Sequence, residues 1–285
     1  MSTFIPQYPY TGPLKAVVLD WAGTAVDYGC MGPADVFVRV FAAFDILVTT
    51  AEARQFMGLE KQEHIRRMCQ LPSVAEQWQT QYSRRPDEND VARLYGKTEP
   101  MMVASLVDHA DPIPGLLPFV EAMRARNIKI GSCTGYTAPM MEVLVPEAAR
   151  HGYAPDCAVC ASDVPAGRPW PWMCYQNAIQ LQVHPFEAMV KIGDTLSDVA
   201  EGRNAGMWTV GLTRSGNELG LTEAQADALP REELAQRLSA IEARMQEAGA
   251  HYVVDGIWDC LAVVEDISRR LAKGEHPNGP CLEHR

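Results

Sequence analysis

Leu14-Lys15-Ala16-Val17-Val18-Leu19-Asp20-Trp21-Ala22-Gly23-Thr24 is a short apolar run that stops at a carboxylate and turns through Gly-Thr. A continuous Val/Leu run of this length reads as a strand buried on both faces, as in a parallel sheet. Ligands of open α/β sheets bind at the carboxyl ends of the strands, and Asp20 stands at that end. From this stretch alone two readings are open: a site carboxylate, or a cap for the next helix. The rest of the chain decides between them.

Downstream of the turn, Pro33 suits the first turn of a helix, and Val36, Phe37, Val40, Phe41 and Phe44 follow at helical spacing. Thr49 and Glu52 form a capping box for a short helix that Gly58 would end. Another helical segment runs over about 59–69; Pro72 and the polar stretch around Arg84-Arg85-Pro86-Asp87 interrupt the pattern, and 89–109 is helical again. Residues 29–109 therefore read as an all-helical insert behind the first strand. Asp111-Pro112-Ile113-Pro114-Gly115 marks its far boundary. Beyond it strands and helices alternate: strands at 128–134, 158–159, 188–193, 208–212 and 251–254, helices between them. That alternation implies an α/β, doubly wound parallel sheet. The expected domains are a core of residues 1–28 and 110–285 and a cap of residues 29–109.

The chain has 285 residues with 36 acidic and 25 basic side chains, a net charge of −11. That balance argues against a nucleic-acid or anionic-membrane surface, which needs a basic patch. An anionic substrate must then be held by a few local cations or a metal ion. No stretch approaches the ~18 apolar residues of a membrane span, and the first residues carry no signal-peptide pattern. Of the eight cysteines, only Cys157 and Cys160 have ligand-like spacing. No second pair or histidine follows them, so they read as small hydrophobes in a strand. A cytoplasmic, reduced location is expected.

Two carboxylates end two expected parallel strands, Asp20 and Asp194, and Asp198 follows four residues after the second. Carboxylates converging on one sheet edge repel unless a cation sits among them. Mg²⁺ suits such a place, because it takes a few carboxylates, keeps waters and binds phosphoryl groups. The bland alternative is that Asp194 and Asp198 only cap a helix.

Four signals in order, Asp20-Trp-Ala-Gly-Thr24, Ser132-Cys-Thr134-Gly-Tyr136, Arg168 and Gly193-Asp-Thr-Leu-Ser-Asp198, resemble the haloacid dehalogenase superfamily of aspartyl phosphotransferases over essentially the whole chain. The resemblance implies that Asp20 attacks phosphorus and Thr134 hydrogen-bonds the phosphoryl group. It also implies that Arg168 offsets charge, Asp194 ligates Mg²⁺ and Asp198 supports the metal shell. A helical cap between the first two motifs fits the same pattern. One position departs from it. Phosphatases of the superfamily carry a second Asp two residues after the nucleophile, as acid for the leaving alkoxide; here that residue is Ala22, which retains only a backbone carbonyl to offer a metal.

A carbon leaving group needs an electron sink rather than a proton on oxygen, and a lysine iminium is such a sink. Met57-Gly58-Leu59-Glu60-Lys61-Gln62-Glu63-His64 supplies a lysine in the cap, with His64 on the same helix face. An arbitrary lysine is mostly a solvated one. Together with Asp-Trp-Ala-Gly-Thr, however, this segment resembles the phosphonoacetaldehyde hydrolase family. That resemblance implies a Schiff base on Lys61 and hydrolysis of the substrate to acetaldehyde and phosphate in degradation of 2-aminoethylphosphonate. It places Cys30, Met57, His64 and Tyr136 around the substrate or the lysine. His64 is expected to shuttle protons near neutral pH. A homodimer through the cap is also implied. The rivals are an Mg²⁺-dependent phosphatase or phosphomutase, which Ala22 disfavours; a dehalogenase without metal, which the Asp194/Asp198 pair disfavours; and a non-enzymatic binding protein.

Overall fold

The computed structural model of the protein describes residues 10–277. The opening run forms β1 (Ala16–Leu19), wholly buried. Its side chains alternate: Ala16 and Val18 enter one apolar cluster, Val17 and Leu19 another on the opposite face. A period of two sends neighbours to opposite faces, so a strand covered on both sides favours apolar residues at successive positions.

Helices alone follow: α1 (Met31–Ala42), α2 (Thr50–Arg54), α3 (Lys61–Cys69), α4 (Pro72–Tyr82) and α5 (Glu88–Ser105). The Thr49–Glu52 capping box opens α2. Glu60 caps α3, its carboxylate accepting from the Gln62 and Glu63 N–H groups. Pro72, expected to interrupt a helix, starts α4 instead. Its fixed φ and missing N–H suit a first turn, where that donor has no intrahelical partner. Phe37, Val40 and Phe41 of α1 pack with Ile65 and Met68 of α3, Trp78 of α4 and Leu94 of α5. Each such side chain, fully buried, contributes about 1.5–3 kcal/mol, enough to hold short helices that would not persist alone.

The remaining elements are α6 (Leu116–Ala125), β2 (Lys129–Thr134), α7 (Ala138–Arg150), β3 (Cys157–Cys160), α8 (Trp172–Leu181), β4 (Met189–Gly193), α9 (Leu196–Asn204), β5 (Trp208–Leu212), α10 (Glu223–Ala228), α11 (Arg231–Glu247), β6 (Tyr252–Val254) and α12 (Cys260–Ala272). The short α10, which local spacing does not announce, grows from a Thr222–Gln225 capping box. Cys157 and Cys160 lie in β3 as expected, and the seven described cysteines are free thiols.

The six strands are parallel in the order β3-β2-β1-β4-β5-β6. The chain lays β2 and β3 to one side of β1, then returns to lay β4 to β6 on the other. The order therefore reverses between β1 and β4, and crevices for ligands open at such a switch point. Leu19 lies opposite Ile192, so Asp20 and Asp194 leave neighbouring strand ends at this place. The fold is a doubly wound parallel sheet with an inserted helical cap. Among the described residues no helix is long and apolar enough to cross a membrane.

Candidate active site

Asp20 does not cap a helix. The next one, α1, begins eleven positions on at Met31, and the carboxylate of Asp27 accepts from the Met31 and Gly32 N–H groups, each at 3.1 Å. Asp20 is fixed by its own N–H, which donates to the Ile192 carbonyl at 3.0 Å, and by Arg168, whose Nη2 donates to its Oδ1 at 2.7 Å. The same Nη2 lies 3.0 Å from Asp198 Oδ1 and 3.0 Å from the Cys133 carbonyl, while Nε donates to Glu201 at 2.9 Å. Burial opposes the charge on Arg168, but Asp198, Asp20 and Glu201 outweigh it and hold the guanidinium protonated.

Lys191 completes this layer; its Nζ donates to Asp198 Oδ1 at 2.6 Å. Burial works against ionising Asp198, yet Arg168 and Lys191 prevail and keep its carboxyl below the ordinary range. Sequence reasoning singled out neither Lys191 nor Glu201. The available signal was a lysine in the middle of the apolar strand Met189-Val190-Lys191-Ile192, since a lysine buried as a cation must be paired. Asp198 also closes the capping box with Thr195 at the start of α9, so capping and a place among the converging carboxylates are compatible.

Asp194 is different. It accepts from Thr24 Oγ1 at 2.9 Å and the Asn217 N–H at 2.8 Å, and no cationic side chain reaches it among the described residues. Burial, then the charges of Asp20 and Asp198, push its carboxyl well above the usual range. Oxygens of Asp20, Asp194 and Asp198 all lie within 4.8 Å of one another. Three buried carboxylates, one without a counter-charge, fit a hard divalent cation, which would supply that charge. Among the described residues the Ala22 carbonyl accepts no backbone hydrogen bond, and Ala22 lines the adjoining cavity. Gly23 makes room for Asp194: its φ is +86°, and a Cβ there would collide with the carboxylate.

A small cleft, partly open to solvent, lies over this floor. Asp20, Ala22, Thr134, Tyr136 and Arg168 line it from the core, and Cys30, Met57 and Lys61 from the inserted helices. Thr134 ends β2, and its Oγ1 accepts from the Tyr136 N–H at 3.1 Å, which leaves its O–H free to donate. Lys61, the first residue of α3, is 3% exposed, with Nζ 4.6 Å from the centre of the Tyr136 ring. Burial draws Lys61 down to about 8, although Cys30, Asp20 and Glu60 pull the other way.

His64 lies one turn behind Lys61 and does not line the cavity. Its ring stacks on Phe37 at 4.0 Å between centroids. Nε2 lies 2.8 Å from the Ala53 carbonyl, and buried Nδ1 has no partner. A carbonyl only accepts, so Nε2 carries the proton and Nδ1 a bare lone pair. Burial, then the charge on Lys61, lowers His64 to about 3. The ring is thus neutral at physiological pH and offers a lone pair one turn from the amine.

The cap sits closed on the core. Arg168 Nη1 donates to the Gly58 carbonyl at 3.3 Å and Ser197 Oγ to the Met57 carbonyl at 3.4 Å. The site can hold an anionic group against Arg168 and Thr134 while presenting a buried amine to its other end.

Known proteins fit this arrangement. Residues 14–206 match the family model described as haloacid dehalogenase-like hydrolase. A protein of Nitratidesulfovibrio vulgaris named phosphonoacetaldehyde hydrolase is 56% identical over 277 residues, covering 97% of this chain and 99% of its own length. One of the same name from Syntrophobacter fumaroxidans is 55% identical, covering 97% and 100%. The crystal structure of a phosphonoacetaldehyde hydrolase-like protein from Oleispira antarctica superposes with a TM-score of 0.94 at 39% identity, covering 97% of this chain and 100% of that one. The chain belongs to the haloacid dehalogenase-like hydrolases and, within them, to the phosphonoacetaldehyde hydrolases, enzymes acting on carbon–phosphorus bonds.

Proposed function

We propose that the enzyme hydrolyses phosphonoacetaldehyde to acetaldehyde and phosphate through an imine on Lys61 and an aspartyl phosphate on Asp20. The observation that carries this reading is a buried lysine, drawn down to about 8, sharing one cavity with a strand-end aspartate. Ala22 stands where an ester hydrolase would keep its acid.

The neutral Lys61 amine adds to the aldehyde carbon and water leaves, giving an iminium. Arg168 and the Thr134 hydroxyl orient the phosphonate. An Mg²⁺ ion held by Asp20, the Ala22 carbonyl and Asp194, with Asp198 behind, would offset phosphoryl charge. Asp20 attacks phosphorus, the carbon–phosphorus bond breaks, and its electron pair flows into the iminium to give a neutral enamine. No proton on a leaving oxygen is needed. Protonation of the enamine carbon and hydrolysis release acetaldehyde and regenerate Lys61; water cleaves the acyl phosphate. His64, packed one turn from Lys61, helps to position the amine, while Cys30, Met57 and Tyr136 shape the pocket. Residues 29–109 act as the closing cap, excluding water from the imine.

Phosphate release from phosphonoacetaldehyde, with and without Mg²⁺, tests this directly. Asp20→Asn is expected to stop phosphate release while borohydride still traps the aldehyde on Lys61. Release of phosphate from sugar phosphates but not from the phosphonate would favour a phosphomonoesterase instead.

The same reading places the enzyme in the cytoplasm, in degradation of 2-aminoethylphosphonate, as a homodimer through the cap. Leu47, 75% exposed at the edge of the inserted helices, supports the last point. Sedimentation equilibrium should give twice the chain mass for the wild type and a weakened dimer for Leu47→Asp; a wild-type monomer would remove the dimer from the reading.

A further inference from the structure

Arg54, the last residue of α2, is held by carbonyls and an amide rather than by a carboxylate. Its Nη1 donates to the carbonyls of Gly29 at 2.7 Å and Cys30 at 3.2 Å, on the segment joining core to cap. It also donates to Asn217 Oδ1 at 3.1 Å, and Asn217 Nδ2 returns a bond to the Arg54 carbonyl at 3.2 Å. Asn217 belongs to the core loop after β5 and is 4% exposed. Its backbone N–H donates to Asp194 Oδ2 at 2.8 Å. Two residues earlier, Ser215 Oγ donates to the Gly23 carbonyl at 2.9 Å, and its carbonyl accepts from the Gly29 N–H at 2.7 Å.

One loop thus grips the metal-side carboxylate with its backbone and a cap helix with a side chain. We propose that Arg54 and Asn217 are positioning residues that couple closure of the cap to the hold on Asp194 and hence to its cation. With the cap closed, the paired contacts of Arg54 fix the Asn217 side chain, and so the direction of its N–H. When the cap lifts, both contacts are lost, the loop is freed, and Asp194 loses a donor that sets its orientation. Linkage makes the effect reciprocal: whatever factor closure adds to cation affinity, the cation adds to closure. Water-free chemistry at Lys61 and charge at Asp194 would then be assembled together. This rests on the proposed reading of Asp194 as a metal ligand.

The test separates the two. Mg²⁺ is titrated calorimetrically into the full chain without substrate, and amide exchange of residues 29–32 and 55–58 is followed with and without Mg²⁺. Asn217→Ala removes only the side chain and leaves the N–H on Asp194. It is expected to weaken Mg²⁺ about tenfold, within the usual range of coupling between sites, and to abolish the Mg²⁺-dependent slowing of exchange. Arg54→Ala, which removes the donor to Asn217 Oδ1 and to the Gly29 and Cys30 carbonyls, should lose a similar factor. The double variant should lose no more than either single one, because both lie on one path. Cooperative melting of each variant excludes general unfolding. Wild-type affinity in Asn217→Ala and Arg54→Ala, with Asp194→Asn abolishing binding, would overturn the coupling and leave the metal reading standing. Binding to Asp194→Asn as tight as to wild type would overturn both.

Discussion

A lysine is a nucleophile only as the free amine, so the environment of Lys61 decides the chemistry at the smallest scale. With its ammonium drawn down to about 8 by burial, roughly one molecule in ten carries the free amine at pH 7, against roughly one in a few thousand for an ordinary lysine. A group whose protonated form is inactive gives a rate that rises with pH and levels above its pKa. The rate of borohydride trapping with aldehyde present should therefore climb through pH 8 and flatten. Lys61→Arg should remove trapping and lower phosphate release by about 10⁴-fold or more, the scale on which deletion of a covalent nucleophile acts elsewhere. Undiminished phosphate release from Lys61→Arg would sink the imine. His64 sits beside this amine as a neutral ring, so its own titration should leave no step in the profile between pH 5 and 8.

Among the elements, the segment 57–60 carries the cap onto the core. Gly58 has φ +88°, and a Cβ there would run into Ser197 Oγ and Thr195 Oγ1, while its carbonyl accepts from Arg168. Gly58→Ala adds backbone strain of about 1–2 kcal/mol and a collision with two hydroxyls of the core, which pushes the cap away from it. An ångström of misplacement can cost about 10² in rate, so kcat/KM should fall by roughly that factor with the melting temperature little changed. Kinetics equal to wild type would mean that the contact is not needed for closure. Strand ends were readable because a strand buried on both faces is mostly apolar, so a polar residue at the end of an apolar run, as after β1, often marks where it leaves the sheet. Asp20, Thr134 and Asp194 all emerge in this way from β1, β2 and β4. The insert was readable for a similar reason, since no period-two stretch breaks it. Pro72 misled because one residue type both ends helices and begins them. Lys191 and Glu201 were passed over because their partners, Arg168 and Asp198, come from other elements or another turn of the chain, and pairing across a fold leaves no mark in local spacing. The Arg54–Asn217 contact, 163 positions apart in sequence, was beyond reach for the same reason.

At the scale of the whole molecule, cap and core each hold a neutral histidine, His64 buried and His251 partly buried, and this bears on how stability responds to acid. Burial and the charge on Lys61 take His64 to about 3; burial, with Arg203 and Arg270 adding to it, takes His251 to about 4. His251 Nδ1 accepts from the Thr209 N–H at 3.0 Å and Nε2 lies 2.7 Å from the Pro277 carbonyl, so a second ring proton would displace an acceptor already in use. Both folded values lie below the unfolded one of about 6.5. As pH falls through 6.5 the unfolded chain takes up protons that the folded chain refuses, and the equilibrium moves toward unfolding. Their stabilisation is thus complete above about pH 6.5 and is lost progressively toward pH 4 and below. Urea unfolding at pH 7.5, 6.5, 5.5 and 4.5, at fixed Mg²⁺, should show the midpoint dropping over this window. Carboxylates contribute to the same curve, so the difference between proteins is what isolates the rings. His251→Gln, which keeps a donor and an acceptor but cannot titrate, should show a shallower drop, and His64→Gln with His251→Gln a shallower one still. If the double variant followed the wild-type slope throughout, burial of these two rings would not be what makes the fold sensitive to acid, and the sensitivity would have to lie in the charged layer beneath Asp20.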